Sequence, residues 1–389
     1  KNIYHVTKFF FHQNLPPKLE KHVEKKRFNK FISNERNALL IMPKYDFTLE
    51  RSVVDIIDLN KFEKIHTFKH NIDEMNKRVK NSEKFPRINI DFSTKRFRYL
   101  HPLLFDDGSL ISIYGPAFKI DFCSNLEWIN DKEILHHSLE LDHNGDIWIP
   151  GRMKPPSKFV AENTFNDYQD HSILKLSKNG KILFHKSVTE ILIENKILDI
   201  NLFNGTPDPI HLNDIEPALE DSKYWKRGDL FISIRNQSAI FHYRPDTNKV
   251  INYIIGPFAQ QHDVDIISNK EISIFNNNNF MIDNQHSEII IYNFETNKFK
   301  KLFNDQIKKE NIKTKTQGLS HIFKDGALMV EENNHGRLIL FNNQGEKEWE
   351  FVNKDKNGDI GKIHWSRIIE DEIIIKKFKS LLKNKKCVN

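Results

Sequence analysis

The sequence predicts an all-β fold: a six-bladed β-propeller, closed by its own N-terminal strands and preceded by a partly helical extension. Three observations predict it. Short strand-like runs dominate from about residue 38 onward, turn dipeptides separate them, and one unit recurs along the chain. Val53-Val54-Asp55-Ile56-Ile57-Asp58-Leu59, Ile272-Ser273-Ile274-Phe275 and Ile289-Ile290-Ile291-Tyr292 have the β-branched character of strands. Asp107-Gly108, Asn144-Gly145, Asn179-Gly180, Asp325-Gly326 and Gln344-Gly345 are the turns between them.

Each copy of the recurring unit opens on a histidine, continues as a short apolar strand, turns, and returns as a second apolar strand. It reads His101-Pro102-Leu103-Leu104-Phe105, Asp107-Gly108, Leu110-Ile111, then His137-Ser138-Leu139-Glu140-Leu141, Asn144-Gly145, Ile147-Trp148-Ile149. Further copies start at His211, His262, His321 and His364. Several continue into a second hairpin, as Leu338-Ile339-Leu340-Phe341, Gln344-Gly345 and Glu348-Trp349-Glu350-Phe351 do. Four strands per unit and a period of roughly 40 residues are the marks of a propeller blade. The last copy stops after two strands, whereas residues 38–70 carry strands without a leading histidine. N-terminal strands are therefore expected to complete the last blade, leaving no free sheet edge. Residues 18–33 predict one helix and 376–385 a short basic one. The expected organisation is an extension over 1–37, a propeller over 38–375 and a basic tail over 376–389.

Composition narrows the function classes. Hydrophobic residues are 38% of the 389 and Phe alone numbers 30, enough for a large core and against global disorder. The net charge of +6 is spread along the chain, so no nucleic-acid partner is expected. Lys25-Lys26-Arg27 and the lysines from Lys383 to Lys386 read as solvated faces. Cys123 and Cys387 are the two cysteines; they exclude an all-cysteine metal site and leave a single bridge between them open. No apolar run is long enough to span a bilayer. The chain begins at Lys1, so a membrane anchor is expected only in a segment preceding it. No GxxxxGKS/T loop, GxGxxG fingerprint, HExxH or GxSxG is present, and no cofactor and no metal-ligand set is assigned.

Equivalent residues of innermost propeller strands converge on the central channel, so the six histidines are candidates for one site. The competing structural role is hydrogen bonding between blades. Asn213 follows His211 by two, Arg235 closes the second strand of that blade, Arg337 follows His335-Gly336, and Arg367 follows His364. Arginine, histidine and asparagine around one mouth make a cradle for a tetrahedral oxyanion.

These residues resemble the arylsulfotransferase family, the nucleotide-independent kind built on a six-bladed propeller, from about residue 100 to 370. The resemblance is carried by Asp208-Pro209-Ile210-His211-Leu212-Asn213-Asp214-Ile215 with Ser233-Ile234-Arg235-Asn236. It continues in Gln261-His262-Asp263 with Ile274-Phe275-Asn276-Asn277, and in Gly326-Ala327-Leu328-Met329-Val330 through His335-Gly336-Arg337-Leu338 to Trp349-Glu350. It implies sulfuryl transfer from a phenolic sulfate ester to another phenol through a transiently sulfated histidine, in a periplasmic or otherwise extracytoplasmic setting. Carried over, His211 matches the family's H-x-N histidine and His262 that of its Gln-His motif. The nucleophile falls on His321, with His335 as the second choice. Asn277, Asn278 and Asn279 stand where the family carries an arginine, so Arg235 or Arg337 would substitute. The implied catalytic set is His321, His211, His262 and Arg235, with His137, Asn213, Asn277, His335 and Arg337 binding substrate. Two other readings follow from the same residues: a metal-dependent enzyme whose imidazoles hold Fe(II) or Zn(II), and a non-catalytic ligand- or protein-binding propeller.

Overall fold

A computed structural model describes residues 22, 24–165, 167–199, 206–280 and 285–387. Strands follow one another in antiparallel runs. After a short β1 (Phe28–Lys30), the first run is β2 (Leu39–Asp46), β3 (Arg51–Asp58) and β4 (Glu63–Phe68). Next come β5 (Leu100–Leu104), β6 (Leu110–Ile113), β7 (Gly115–Ile120) and β8 (Leu126–Leu135), then β9 (Glu140–Leu141), β10 (Ile147–Met153), β11 (Asp170–Leu176) and β12 (Ile182–Ser187). These lead into β13 (Leu212–Pro217), β14 (Leu230–Ile234), β15 (Ala239–Arg244) and β16 (Lys249–Ile255). The chain goes on through β17 (Val264–Ser268), β18 (Glu271–Asn276), β19 (Glu288–Asn293) and β20 (Lys298–Leu302), and through β21 (Leu319–Ile322), β22 (Leu328–Glu332), β23 (Arg337–Phe341) and β24 (Lys347–Val352). Finally β25 (Arg367–Ile369) returns to β2, pairing Ile369 with Leu39 and Arg367 with Ile41. The fold is all-β and propeller-like.

Hydrogen bonding does not divide these strands into six separate blades. Among the described residues it makes five sheets: three of four strands, one of five and one of eight. The eight-stranded sheet arises because the end of β8 is paired on both edges: Leu135 pairs with Gly115 of β7, and Ile134 and Leu135 also pair with Arg152 and Gly151 of β10. Apolar packing follows the runs more closely. Leu39, Ile41 and Val54 pack with Leu104, Leu110 and Phe118 of the next run. At the other end of the chain, Leu40 and Met42 pack with Met329, Leu338 and Trp349, which closes the circuit.

The helix expected over 18–33 is not supported. Phe28–Lys30 is strand β1, paired with Phe351, Glu350 and Trp349 on the outer edge of β24; residues 18–21 and 23 lie outside the described residues. An unpaired sheet edge offers backbone partners to whatever chain reaches it, and charge holds this segment there. Lys25 Nζ lies 2.9 Å from Glu350, so the basic run at 25–27 is not simply a solvated face. Near the other terminus the helix is Glu372–Asn384, starting ahead of the expected 376 because Asp371 caps it, accepting from the Ile373 and Ile374 N–H groups. Its Ile375 and Phe378 are buried in the first core. Just past it Cys387 is bonded to Cys123, forming the bridge that the sequence left open. Among the described residues no helix is long and apolar enough to cross a membrane.

Candidate active site

The first strands of neighbouring runs touch one another, β9 with β13, β13 with β17 and β25 with β5, so these strands line the axis. At or just before each inner strand one residue takes a left-handed conformation: His101 (φ 40°), His137 (65°), His211 (48°), Gln260 (56°), Gln317 (60°) and Trp365 (61°). Such a conformation costs a non-glycine residue roughly 1–2 kcal/mol. Carboxylates hold the inner strands together. Asp214 accepts from Val264 N–H at 2.8 Å, Asp263 from Ser320 N–H at 2.9 Å, and Glu331 from Trp365 and Ser366 N–H at 2.8 Å each. Acids thus take much of the inter-blade role weighed for the histidines, and His262 keeps a share of it through the Gln317 N–H.

The kinks gather rings. His137 is central, with ring centroids 5.6 Å from His211, 6.0 Å from His262, 5.8 Å from Trp365 and 4.8 Å from His136. His171 lies 5.2 Å from His136 and 5.8 Å from His211, and His101 lies 5.5 Å from Trp365. Asp208 joins two of the rings: one carboxylate oxygen accepts from His171 Nε2 at 2.9 Å, the other from His211 Nδ1 at 2.5 Å.

Hydrogen bonds assign different tasks to these rings. His262 Nδ1 faces Asn277 Oδ1 at 2.6 Å, and its Nε2 accepts from Gln317 N–H at 2.9 Å. Both nitrogens are occupied, so this buried ring is a fixed neutral strut. Asn277 Nδ2 in turn donates to the Thr314 and Gln317 carbonyls, pinning the entrance to β21. With Nδ1 committed to Asp208, His211 carries its lone pair on Nε2, and its side chain is 28% exposed. The arrangement is that of an imidazole oriented by a carboxylate behind it.

Two guanidinium groups complete the funnel. Arg235 donates to Asn236 Oδ1 at 2.7 Å and Gln260 Oε1 at 2.9 Å and leaves Nε buried without a partner. Arg152, at the corresponding end of β10, likewise has a buried Nε without a partner. Burial lowers the pKa of both, with Asp208 opposing. Burial comes first for the rings too. It pushes His136 and His137 well below their ordinary value, with neighbouring imidazoles and Arg152 adding to it, and takes His262 to about 3 against the Asn277 hydrogen bond. Burial would raise Asp208, but hydrogen bonds from His171 and His211 reverse it and hold the carboxyl well below the usual range. Two guanidinium groups against one carboxylate give this side of the site more fixed positive than negative charge.

Of the residues that sequence reasoning singled out, His137, His211, His262, Arg235 and Asn277 come together here. Asn213 lies beside them, donating to the Gln261 carbonyl at 2.9 Å. His321 stands apart. Its Nε2 pairs with Glu370 at 3.4 Å and its ring meets Phe323 at 4.9 Å. Gln317, four residues earlier, occupies the left-handed position in that run. Arg337 is 1% exposed and bound to Glu310, Glu332 and Glu350, while His335 neighbours His22 at 6.1 Å. Arg367 binds Glu140 through both of its terminal nitrogens. Sequence reasoning missed His136, His171, Asp208, Arg152 and Trp365. Arg152 had a signal: it ends the second strand of its run as Arg235 follows the second strand of the next.

Comparison with known proteins bears on the family and the fold. A family model described as "Arylsulfotransferase (ASST)" matches residues 107–354. A search of curated proteins gave no match. Among solved structures, a protein of unknown function from Bacteroides caccae is similar at 12% identity and a TM-score of 0.54, covering 87% of this chain and 100% of its own. Virginiamycin B lyase from Staphylococcus aureus is similar at 14% identity and a TM-score of 0.38, covering 67% of this chain and 71% of its own.

Proposed function

Since the chain belongs to the arylsulfotransferase (ASST) family, we propose that it moves a sulfuryl group from an aryl sulfate to a phenol through a sulfated His211. The observation that carries this reading is the Asp208–His211 contact beside two guanidinium groups. We count the eight-stranded sheet as two blades, which makes the ring six-bladed around this site.

His211 Nε2 attacks the sulfur. The S–N bond forms as the S–O bond to the phenolate breaks, through a loose transition state that rewards positioning and charge over covalent assistance. The ring becomes cationic as it is sulfated, and Asp208 stabilises that charge through Nδ1–H. Arg152 and Arg235 hold the non-bridging sulfate oxygens. The departing phenolate takes a proton from water in the open mouth. In the second half the acceptor phenol gives its proton to solvent at the mouth, its oxygen attacks sulfur, and the S–N bond breaks. The excess of guanidinium over carboxylate charge suits an anionic sulfate ester. His262 acts by holding the entrance to β21 and the wall beside His137. The Cys123–Cys387 bridge supports an oxidising, extracytoplasmic location.

The test is incubation with a fluorogenic aryl sulfate, an acid-free quench and mass spectrometry of tryptic peptides. Peptide Ile197–Lys223 contains His211 as its one histidine and Thr316–Lys324 contains His321 as its one histidine. One added SO3 on the first supports the assignment. The same mass on the second returns the nucleophile to His321, and turnover without sulfation of either removes the covalent step.

A further inference from the structure

His171 Nε2, an Asp208 carboxylate oxygen and His211 Nδ1 lie within 4.8 Å of one another. We propose that these three groups form a site for one divalent transition metal of the zinc class, bound together with an oxyanion. This rests on the donor set and its surroundings and does not depend on sulfuryl transfer.

The donor chemistry selects the ion. Two imidazole nitrogens and one carboxylate oxygen suit zinc and its first-row neighbours, and the positions left open await solvent or ligand. Calcium and magnesium prefer all-oxygen cages, and there is no thiolate to favour softer ions. Donors about 2.0–2.1 Å from a tetrahedral zinc are roughly 3.3 Å apart. Asp208 now sits 2.9 Å from His171 Nε2 and 2.5 Å from His211 Nδ1. Widening both contacts by less than an ångström, and closing the widest donor separation from up to 4.8 Å toward the same spacing, admits the ion.

The three groups are held before any ion arrives. His171 is on β11, opposite Arg152 of β10. Asn236 donates to the Asp208 carbonyl at 2.6 Å, Gln237 donates to the Pro209 carbonyl at 2.8 Å, and the His211 N–H donates to the Asp208 carboxylate at 3.1 Å. His171 is 1% exposed, whereas Asp208 and His211 are 22% and 28% exposed, so one donor forms the floor and two face the mouth.

Two orphaned atoms mark the place. His171 Nδ1 and His136 Nε2 are buried with no hydrogen-bond partner, a costly state for a polar atom. Metal binding at His171 Nε2 and His211 Nδ1 moves each ring proton to the opposite nitrogen, so neither ring loses a proton. Arg152 and Arg235 disfavour a bare dication and are placed to hold an anion on its open face. An ion here also takes Asp208 and His211 Nδ1 out of their mutual hydrogen bond, so metal occupancy and nucleophilic His211 exclude each other.

Zinc is titrated calorimetrically into chelator-treated, full-length protein with and without inorganic sulfate. The same titrations follow for Asp208→Asn, His171→Gln and, as a control at an exposed position, His143→Ala. Expected are one ion per chain for the unaltered protein and His143→Ala, at least a tenfold loss of affinity in the other two, and tighter binding with sulfate. Cobalt(II) should give visible d–d bands of a low-coordinate nitrogen–oxygen site. If either variant fails to match the parent's circular dichroism, His211→Gln replaces it. Substoichiometric zinc in the unaltered protein, or undiminished affinity in folded Asp208→Asn, overturns the site. Equal affinity with and without sulfate overturns the oxyanion.

Discussion

Asp208→Asn isolates the carboxylate that orders the funnel. Asp208 serves two rings at once, His211 at 2.5 Å and His171 at 2.9 Å. An amide has one acceptor oxygen and presents N–H groups to whichever ring faces the other atom, so one imidazole must turn a lone pair toward it. A hydrogen bond to a charged group contributes about 1.5–3 kcal/mol. At His211 that charge appears only as sulfur bonds to the ring, so the loss falls on the transition state. About 3 kcal/mol is roughly a 10²-fold loss of kcat, with little change in KM because both guanidinium groups remain. The assay is nitrophenol release from nitrophenyl sulfate with a saturating phenol acceptor. The reasoning fails if a folded Asp208→Asn keeps kcat within about threefold of the parent.

Arg152→Ala should raise KM for an aryl sulfate by roughly 10- to 100-fold through loss of a charge-assisted contact; an unchanged KM removes Arg152 from the cradle. His70 is buried among Phe97, Tyr99 and Phe118, and burial first, then the Arg51 charge, take its pKa to about 3. The unfolded chain titrates near 6.5, so it binds the extra proton between these values. This contribution to stability is full above about pH 6.5 and falls by about 1.4 kcal/mol per pH unit below it. Between about pH 7.5 and 5.5, His70→Phe should therefore lose less thermal stability than the parent; parallel melting profiles would refute the assignment. Gly336 has φ 60°, and a Cβ there would lie 2.1 Å from the Gly361 carbonyl oxygen. Gly336→Ala should lower stability by about 2 kcal/mol or more, measured by urea unfolding, and an unshifted midpoint would contradict the packing.

Local chemistry made much of the fold legible. Asp107-Gly108 and Asp325-Gly326 read as turns because a left-handed residue is needed there, and both glycines have positive φ (79° and 87°). The repeat located the inner strands because each must start with the same change of direction. It misplaced the fifth, where His321 was read as the leading residue and Gln317 holds the kink. Counting histidines cannot see backbone conformation, and the fourth, fifth and sixth inner strands have Gln260, Gln317 and Trp365 at the kink. His171 lies on a third strand, where nothing local says that it meets the site, and Arg152 shows itself only by comparison with Arg235 of the next run. Phe28–Lys30 became a strand through an edge supplied by residues 349–351, more than 300 positions away.

The inner strands also set where an anion can bind. Near their starts are the imidazoles, with the guanidinium groups of Arg152 and Arg235 at the far ends of the second strands. A few residues further along the inner strands come Glu140, Asp214, Glu216, Asp263 and Asp265. Burial raises Asp214 to about 7 and Asp265 to about 8, and the neighbouring acids push in the same direction. Burial and neighbouring acids also raise Glu216 and Asp263. Such mutual perturbation marks acids crowded around one narrow space. Carboxyls held largely protonated offer a sulfate ester no cation to bind, so the anion finds its partners only at the cationic mouth. Donor and spent phenol therefore share the mouth with the acceptor. Two bulky aryl groups that use one entrance are most simply accommodated in turn, with the protein keeping the sulfuryl group between visits. A histidine with a free Nε2 and a carboxylate behind it is suited to hold that group, and His211 has both.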